Sequence, residues 1–122
     1  MNYEDALSML GSALADPHPT LTVAELDLEL RTSPAATLWT TDKSVVFLRL
    51  EVYENGVRAL CAAPAAGDLQ EILEHGTHAV EETARENGCT QVLIQAGRKG
   101  WARALKEQGY EEVAVVLRKV LD

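Results

Sequence analysis

The stretch Gly88–Val120, GCTQVLIQAGRKGWARALKEQGYEEVAVVLRKV, decides the fold. Thr90 to Ala96 holds the apolar run Val92-Leu93-Ile94 between glycines, the pattern of a short buried strand. Lys99 to Gln108 then sets Trp101, Ala104 and Leu105 on one helical face and stops at Gly109, the residue type suited to the left-handed position past a helix end. Glu112 to Leu121 returns to β-branched and apolar residues and reads as a long final strand.

Upstream, the same signals give the rest of the order. Tyr3 to Ala15 carries Ala6, Leu7, Leu10 and Leu14 at helical spacing and ends at Asp16-Pro17-His18-Pro19, where two prolines remove backbone donors. Thr22 and Glu25 have capping-box spacing ahead of Val23, Leu26 and Leu30, a second helix. The alternation from Leu26 to Leu30 also permits a strand there. Leu38-Trp39, Ser44 to Tyr53 and Val57 to Ala63 read as three antiparallel strands. Asn55-Gly56 joins the last two, and its composition predicts a two-residue type I′ hairpin turn with positive φ at both residues. Asp68 opens a longer helix with Leu69, Ile72, Leu73, Ala79, Val80 and Ala84 on its apolar stripe, closed by Gly88.

The element order is therefore α-α-β-β-β-α-β-α-β, an α+β fold. It predicts a twisted, mostly antiparallel sheet that gains a parallel pair through the helix beginning at Asp68. At 122 residues and 47% hydrophobic, residues 1–122 suit one domain with a single core. The chain carries 19 Asp/Glu against 11 Lys/Arg, net −8. That balance disfavours direct contact with nucleic acid or anionic membranes and leaves protein surfaces as the expected partners. The opening MNYEDALSML has acids where a secretory signal has Lys or Arg, and no run reaches the roughly 18 apolar residues of a membrane span. The expected location is the bacterial or host cytoplasm, with a virion as the alternative. Cys61 and Cys89 lack metal or redox spacing and read as reduced core residues.

The order of elements resembles the GNAT (GCN5-related N-acetyltransferase) superfamily after its first strand. The segment Trp101-Ala102-Arg103-Ala104-Leu105-Lys106-Glu107-Gln108-Gly109-Tyr110 is similar to that family's helix ending in Gly-Phe or Gly-Tyr. The acidic balance and the GRKGWARALKEQGY ending look like the GNAT-like proteins encoded among phage and prophage virion genes. The resemblance implies acetyl-CoA as cofactor and a tyrosine acid on the late helix. It also implies an Arg/Gln-x-x-Gly-x-Gly/Ala turn whose bare amides hold pyrophosphate at a helix start.

Residue by residue, this chain departs from that chemistry. The turn corresponds to Ala62-Ala63-Pro64-Ala65-Ala66-Gly67-Asp68-Leu69-Gln70-Glu71. Pro64 removes a donor, and Asp68 and Glu71 put carboxylates where an incoming phosphate needs free amides. If a cofactor does bind, Cys61, Ala62, Ala63, Gly67, Asp68 and Leu69 are the residues the resemblance brings to it. The acid position maps to Leu105, which cannot donate a proton, and the asparagine often starting that helix maps to Arg98. Tyr110 reads as a packing residue of the turn. No catalytic residue and no cofactor are expected.

The concentration of positive charge at Arg98, Lys99 and Arg103, beside Trp101, is the candidate interaction or anion site; the plain alternative is a solvated helix face. His75 and His78 share a helix face with glutamates but lack a third converging ligand, so no metal site is expected. The favoured function is a non-catalytic GNAT-like protein acting through protein contacts, most concretely a phage or prophage virion-associated or assembly protein. The alternatives are an active acetyl-CoA-dependent N-acetyltransferase with an atypical cofactor turn, and an acidic inhibitor of a nucleic-acid-binding or host-defence protein.

Overall fold

The structure is a computed structural model that describes residues 1–15, 19–96 and 99–122. Helices α1 (Tyr3–Ala13) and α2 (Val23–Thr32) precede strands β1 (Ala36–Thr40), β2 (Ser44–Val52) and β3 (Arg58–Gly67). A short helix α3 (Leu69–Glu71) runs through a π-turn (Ile72–Gly76) into α4 (Thr77–Glu86), followed by β4 (Gln91–Ile94) and α5 (Lys99–Glu107). The four strands lie in sequence order in one sheet, antiparallel except for the β3–β4 pair.

The sheet separates two apolar clusters because β2 alternates its side chains between faces. Val45 and Phe47 point to the side covered by Ala6 and Leu10 of α1 and Leu26 of α2. Val46 and Leu48 point to the other side, against Ile72, Val80 and Ala84. The core is thus split into two layers around a central strand buried on both faces, and the region 26–30 is helical rather than extended. Thr22 accepts from the Glu25 amide, the cap its spacing predicts. On the face that α2 covers, Arg49 of β2 forks onto both carboxylate oxygens of Glu29, which holds that carboxyl below its usual range.

Four local expectations are corrected. Residues 112–121 form no strand: the segment from Glu111 on is exposed and belongs to no helix or ladder. The strand before α5 is confined to Gln91–Ile94, where it has β3 as partner. Leu69 is 40% exposed instead of joining the helix stripe, because it stands on the outward side of the first turn. The β2–β3 turn has positive φ only at Gly56, at 85°, with none among non-glycine residues. Gly56 donates to the Tyr53 carbonyl and Tyr53 to that of Val57, so Glu54 and Asn55 form the turn and Gly56 takes the left-handed step after it. Asn55 instead accepts from the Val57 amide through its side chain.

Candidate functional site

The place to test for a cofactor is the junction of β3 with α3, where the sheet delivers the chain into a helix beside the parting of β3 and β4. The β3–β4 ladder ends at the Ala62–Ile94 pair, while β3 continues to Gly67 along β2. Opposite the single residue Phe47, β3 carries two, Ala63 and Pro64, a bulge that lies at the rim where the strands part. Pro64 brings no N–H to that rim.

The junction is closed by protein groups. Asp68 caps α3, its side chain accepting from the Glu71 amide at 3.0 Å. The Asp68 amide is shared between the Ser44 hydroxyl at 3.2 Å and the Lys43 carbonyl at 3.3 Å. The Ser44 hydroxyl donates to Glu71 Oε1 at 2.6 Å, and Thr41 donates to the same oxygen. Thr41 in turn accepts from the amides of Lys43 and Ser44. Ser44 is fully buried. Gly67, at φ 116°, makes the close approach possible: a Cβ there would sit 2.1 Å from the Lys43 carbonyl oxygen. Its role is to bring β3 down onto the β1–β2 turn.

These contacts define what the carboxylate of Glu71 does. It accepts from two hydroxyl donors of the turn and is held below the ordinary carboxylate range by Ser44 first and Thr41 second. A folded-state value below the unfolded one stabilises the fold above the unfolded value and loses that contribution as pH falls through the folded one. Glu71→Gln is therefore expected to lower the melting temperature at neutral pH and to flatten its dependence over roughly pH 5 to 3. Thermal melts of both proteins across that range check this; parallel pH profiles would contradict it.

On the far side of the parting strands, α5 fills the space. Trp101 is half-buried against the Ile72–Val80 cluster, and Leu105 is 4% exposed. Between them and Ala62, Ala65, Ile94 and Val80 remains an apolar cavity of about 30 Å³. That is room for about one water. Tyr110 hydrogen-bonds to Glu81 and is half-buried; burial foremost, then Glu81, raises its hydroxyl above the usual tyrosine value. Burial likewise pushes up the Cys61 thiol. Neither group is poised to give up a proton near neutral pH.

The π-turn frees a carbonyl that α5 uses. Leu73 O accepts from the Thr77 hydroxyl at 2.8 Å and from Gln108 Nε2 at 2.7 Å, which ties the end of α5 to the middle of the α3–α4 helix. A shallow groove beside this tie is lined by Glu74, His78 and Glu81 and is open to solvent. His75 and His78 are not buried together, and among the described residues no three His, Cys, Asp or Glu converge as metal ligands do.

The predicted interaction cluster lies only partly within the described residues. Arg98 lies outside the described residues, and Lys99 begins α5. Trp101 turns to the core while Arg103, two residues on, is exposed. Cys61 and Ala62 belong to the paired part of β3, whereas Ala63 and Gly67 lie beyond the last β4 partner. Thr41 and Ser44 are the site residues that spacing does not single out. Their signal is the polar run Thr41-Asp42-Lys43-Ser44, with a hydroxyl on each side of a tight reversal.

Comparison with solved structures settles the architecture. The chain superposes on wild-type TTHA1254 from Thermus thermophilus with TM-score 0.62 and 22% identity, covering 98% of this chain and 93% of that one. It matches a putative acetyl transferase from Pyrococcus furiosus with TM-score 0.73 and 14% identity, over 97% and 93% of the two chains. The fold is GNAT-like. A predicted acetyltransferase from Clostridium acetobutylicum, solved with acetyl-CoA, matches the GNAT-like chain at TM-score 0.70 and 12% identity, over 98% and 92%. No protein-family model matches the sequence, and no curated protein matches it. The likeness is one of fold.

The Asp68 and Glu71 amides are engaged by Lys43, Ser44 and Asp68, two carboxylates occupy the helix start, and α5 leaves a water-sized cavity. No helix of the described residues is long and apolar enough to cross a membrane.

Proposed function

We propose that this GNAT-like chain is non-catalytic and works through protein contacts. The observation that carries the reading is the closed junction, where Ser44 and Asp68 take the amides a pyrophosphate would need and Glu71 adds a second carboxylate. Leu105, which the resemblance maps to the family's proton donor and which is buried, supports it independently. The same reading gives the chain a place among phage or prophage virion-associated or assembly proteins. That part rests on the resemblance of the Gly97–Tyr110 stretch and on the acidic balance.

One observation favours the other reading, an active N-acetyltransferase: β3 runs on past its last β4 partner, leaving main chain along one side of its end. Leu105→Tyr separates the two. Restoring a phenol there is expected to leave acetyl transfer to simple amines at background, measured as release of free coenzyme A thiol, because the junction still rejects the phosphates. The larger ring costs about 1–3 kcal/mol from overpacking, so folding is followed alongside by circular dichroism. Turnover by a folded Leu105→Tyr protein would show a working cofactor site. The virion assignment is checked by mass spectrometry of purified particles from the source strain: recovery of the chain supports it, and absence removes it while leaving the cofactor argument intact.

A further inference from the structure

We infer that β1, the first strand of the sheet, is a self-pairing edge: two copies of the chain join antiparallel through β1, about a twofold axis at Leu38, into one continuous sheet. Among the described residues β1 pairs with β2 alone, and its register runs from Ala36 to Thr40 without a bulge. The Leu50 amide donates to the Ala35 carbonyl and the Thr41 amide to that of Ser44. By the alternation of an antiparallel ladder, Thr37 and Trp39 then also bond to β2. Ala36, Leu38 and Thr40 therefore direct their main-chain groups away from the sheet, and only the Ala36 amide has a local acceptor, the Ser33 carbonyl at 3.4 Å.

The usual guards of such an edge are absent from it. Lysines, prolines within the strand and bulges keep exposed edges from pairing. Thr32 to Thr41 holds no charged residue, although a quarter of the chain is charged and the net charge is −8. Two copies so charged repel at most approaches, and an uncharged edge is where that repulsion is least.

The register fits a second copy in particular. With Leu38 opposite its own counterpart, the two Leu38 residues exchange N–H and C=O bonds, and each Thr40 amide reaches the other copy's Ala36 carbonyl. Trp39 then stands across from Thr37, an aromatic and β-branched pair made twice by the symmetry. The Trp39 ring is held ready for this: it is half-buried against the Ile72–Val80 cluster and lies over Gly76, where a Cβ would come within 3.2 Å of it. Thr37 and Thr40 are exposed, and Leu38 is half-buried. Five residues from each copy make a small interface, which sets the expected dissociation constant on the order of 10 µM. The pairing holds whether or not the cofactor reading does.

Sedimentation equilibrium and residue-resolved amide exchange on the natural chain test it. The expected result is a closed dimer in which the Leu38 and Thr40 amides gain protection as concentration rises, while those of Thr37 and Trp39, already bonded to β2, are protected throughout. Thr40→Pro removes an outward donor and no bond to β2, and is expected to weaken dimerisation by about 30-fold. A chain still monomeric at about 1 mM would overturn the inference. So would assembly beyond a dimer, which means a head-to-tail join. Leu38 and Thr40 amides that exchange alike at every concentration would place the contact elsewhere or the cover within one chain, and a dimer equally tight in folded Thr40→Pro would contradict the pairing directly. Where that variant does not fold, the exchange pattern of the natural chain decides.

Discussion

Gly67→Ala is expected to lower the stability of the chain by about 3 kcal/mol or more, a fall of roughly 10 °C in melting temperature. Two costs add. The residue has φ 116°, where an L side chain is strained, and the new methyl would lie 2.1 Å from the Lys43 carbonyl oxygen and 2.6 Å from Ser44 Cα. Both neighbours are backbone and cannot rotate away, so the end of β3 must lift from the Ser44–Gly67 pair. Lifting it also breaks the bond from the Asp68 amide to Ser44 and loosens the Glu71 carboxylate. The functional meaning lies in the kind of damage. A glycine kept bare for a phosphate would, on substitution, cost ligand affinity and little fold. This one is expected to cost fold, measured by urea unfolding. A change below about 0.5 kcal/mol would mean that the turn is looser than its contacts show.

Phe47→Ala is expected to have an effect of about 3–5 kcal/mol, the range for removing a buried aromatic side chain. Phe47 is 1% exposed at the centre of β2, packed with Ala6, Leu10 and Leu26 on the face away from α3–α4. Its ring also lies under the Arg49 guanidinium, 5.4 Å away, and that guanidinium is held by Glu29. Truncation therefore opens a cavity and removes one side of a packed ion pair that ties β2 to α2. At a typical stability of about 5–15 kcal/mol for a domain, the variant sits near its unfolding threshold. Calorimetric melting checks the prediction. A loss under about 1 kcal/mol would show that the α1–α2 layer is dispensable to the sheet.

Much of the fold is legible in the sequence because its signals are local. Thr22 with Glu25 and Asp68 with Glu71 mark helix starts that the structure caps with those side chains. The order of strands and the parallel β3–β4 pair follow from a helix of crossover length between two apolar runs. The last strand is misplaced for a physical reason: alternation states what residues 112–121 can pair as, and the pairing itself depends on an edge that no local pattern specifies. Asn55-Gly56 misleads because one glycine with positive φ serves two hairpin geometries, and Glu54 joins the turn.

At the junction, Pro64, Asp68 and Glu71 are informative in the sequence, since each changes a donor or a charge by its type alone. The other half of the closure is hidden there. Ser44 and Thr41 come from a turn 24 to 30 residues earlier, and only the β2–β3 register sets them against Asp68 and Glu71. The same holds for Trp101, whose packing against the core cluster beside an exposed Arg103 is set by the docking of α5 on the sheet.

Calorimetric titration of the pure chain with acetyl-CoA at low salt, where attraction for phosphate is screened least, is the sharpest test of the closed junction. With the Asp68 and Glu71 amides already bonded and two carboxylates at the helix start, the expected trace shows no saturable heat up to millimolar ligand. Saturable binding at micromolar acetyl-CoA would contradict the closed junction and make this chain a cofactor-binding acetyltransferase.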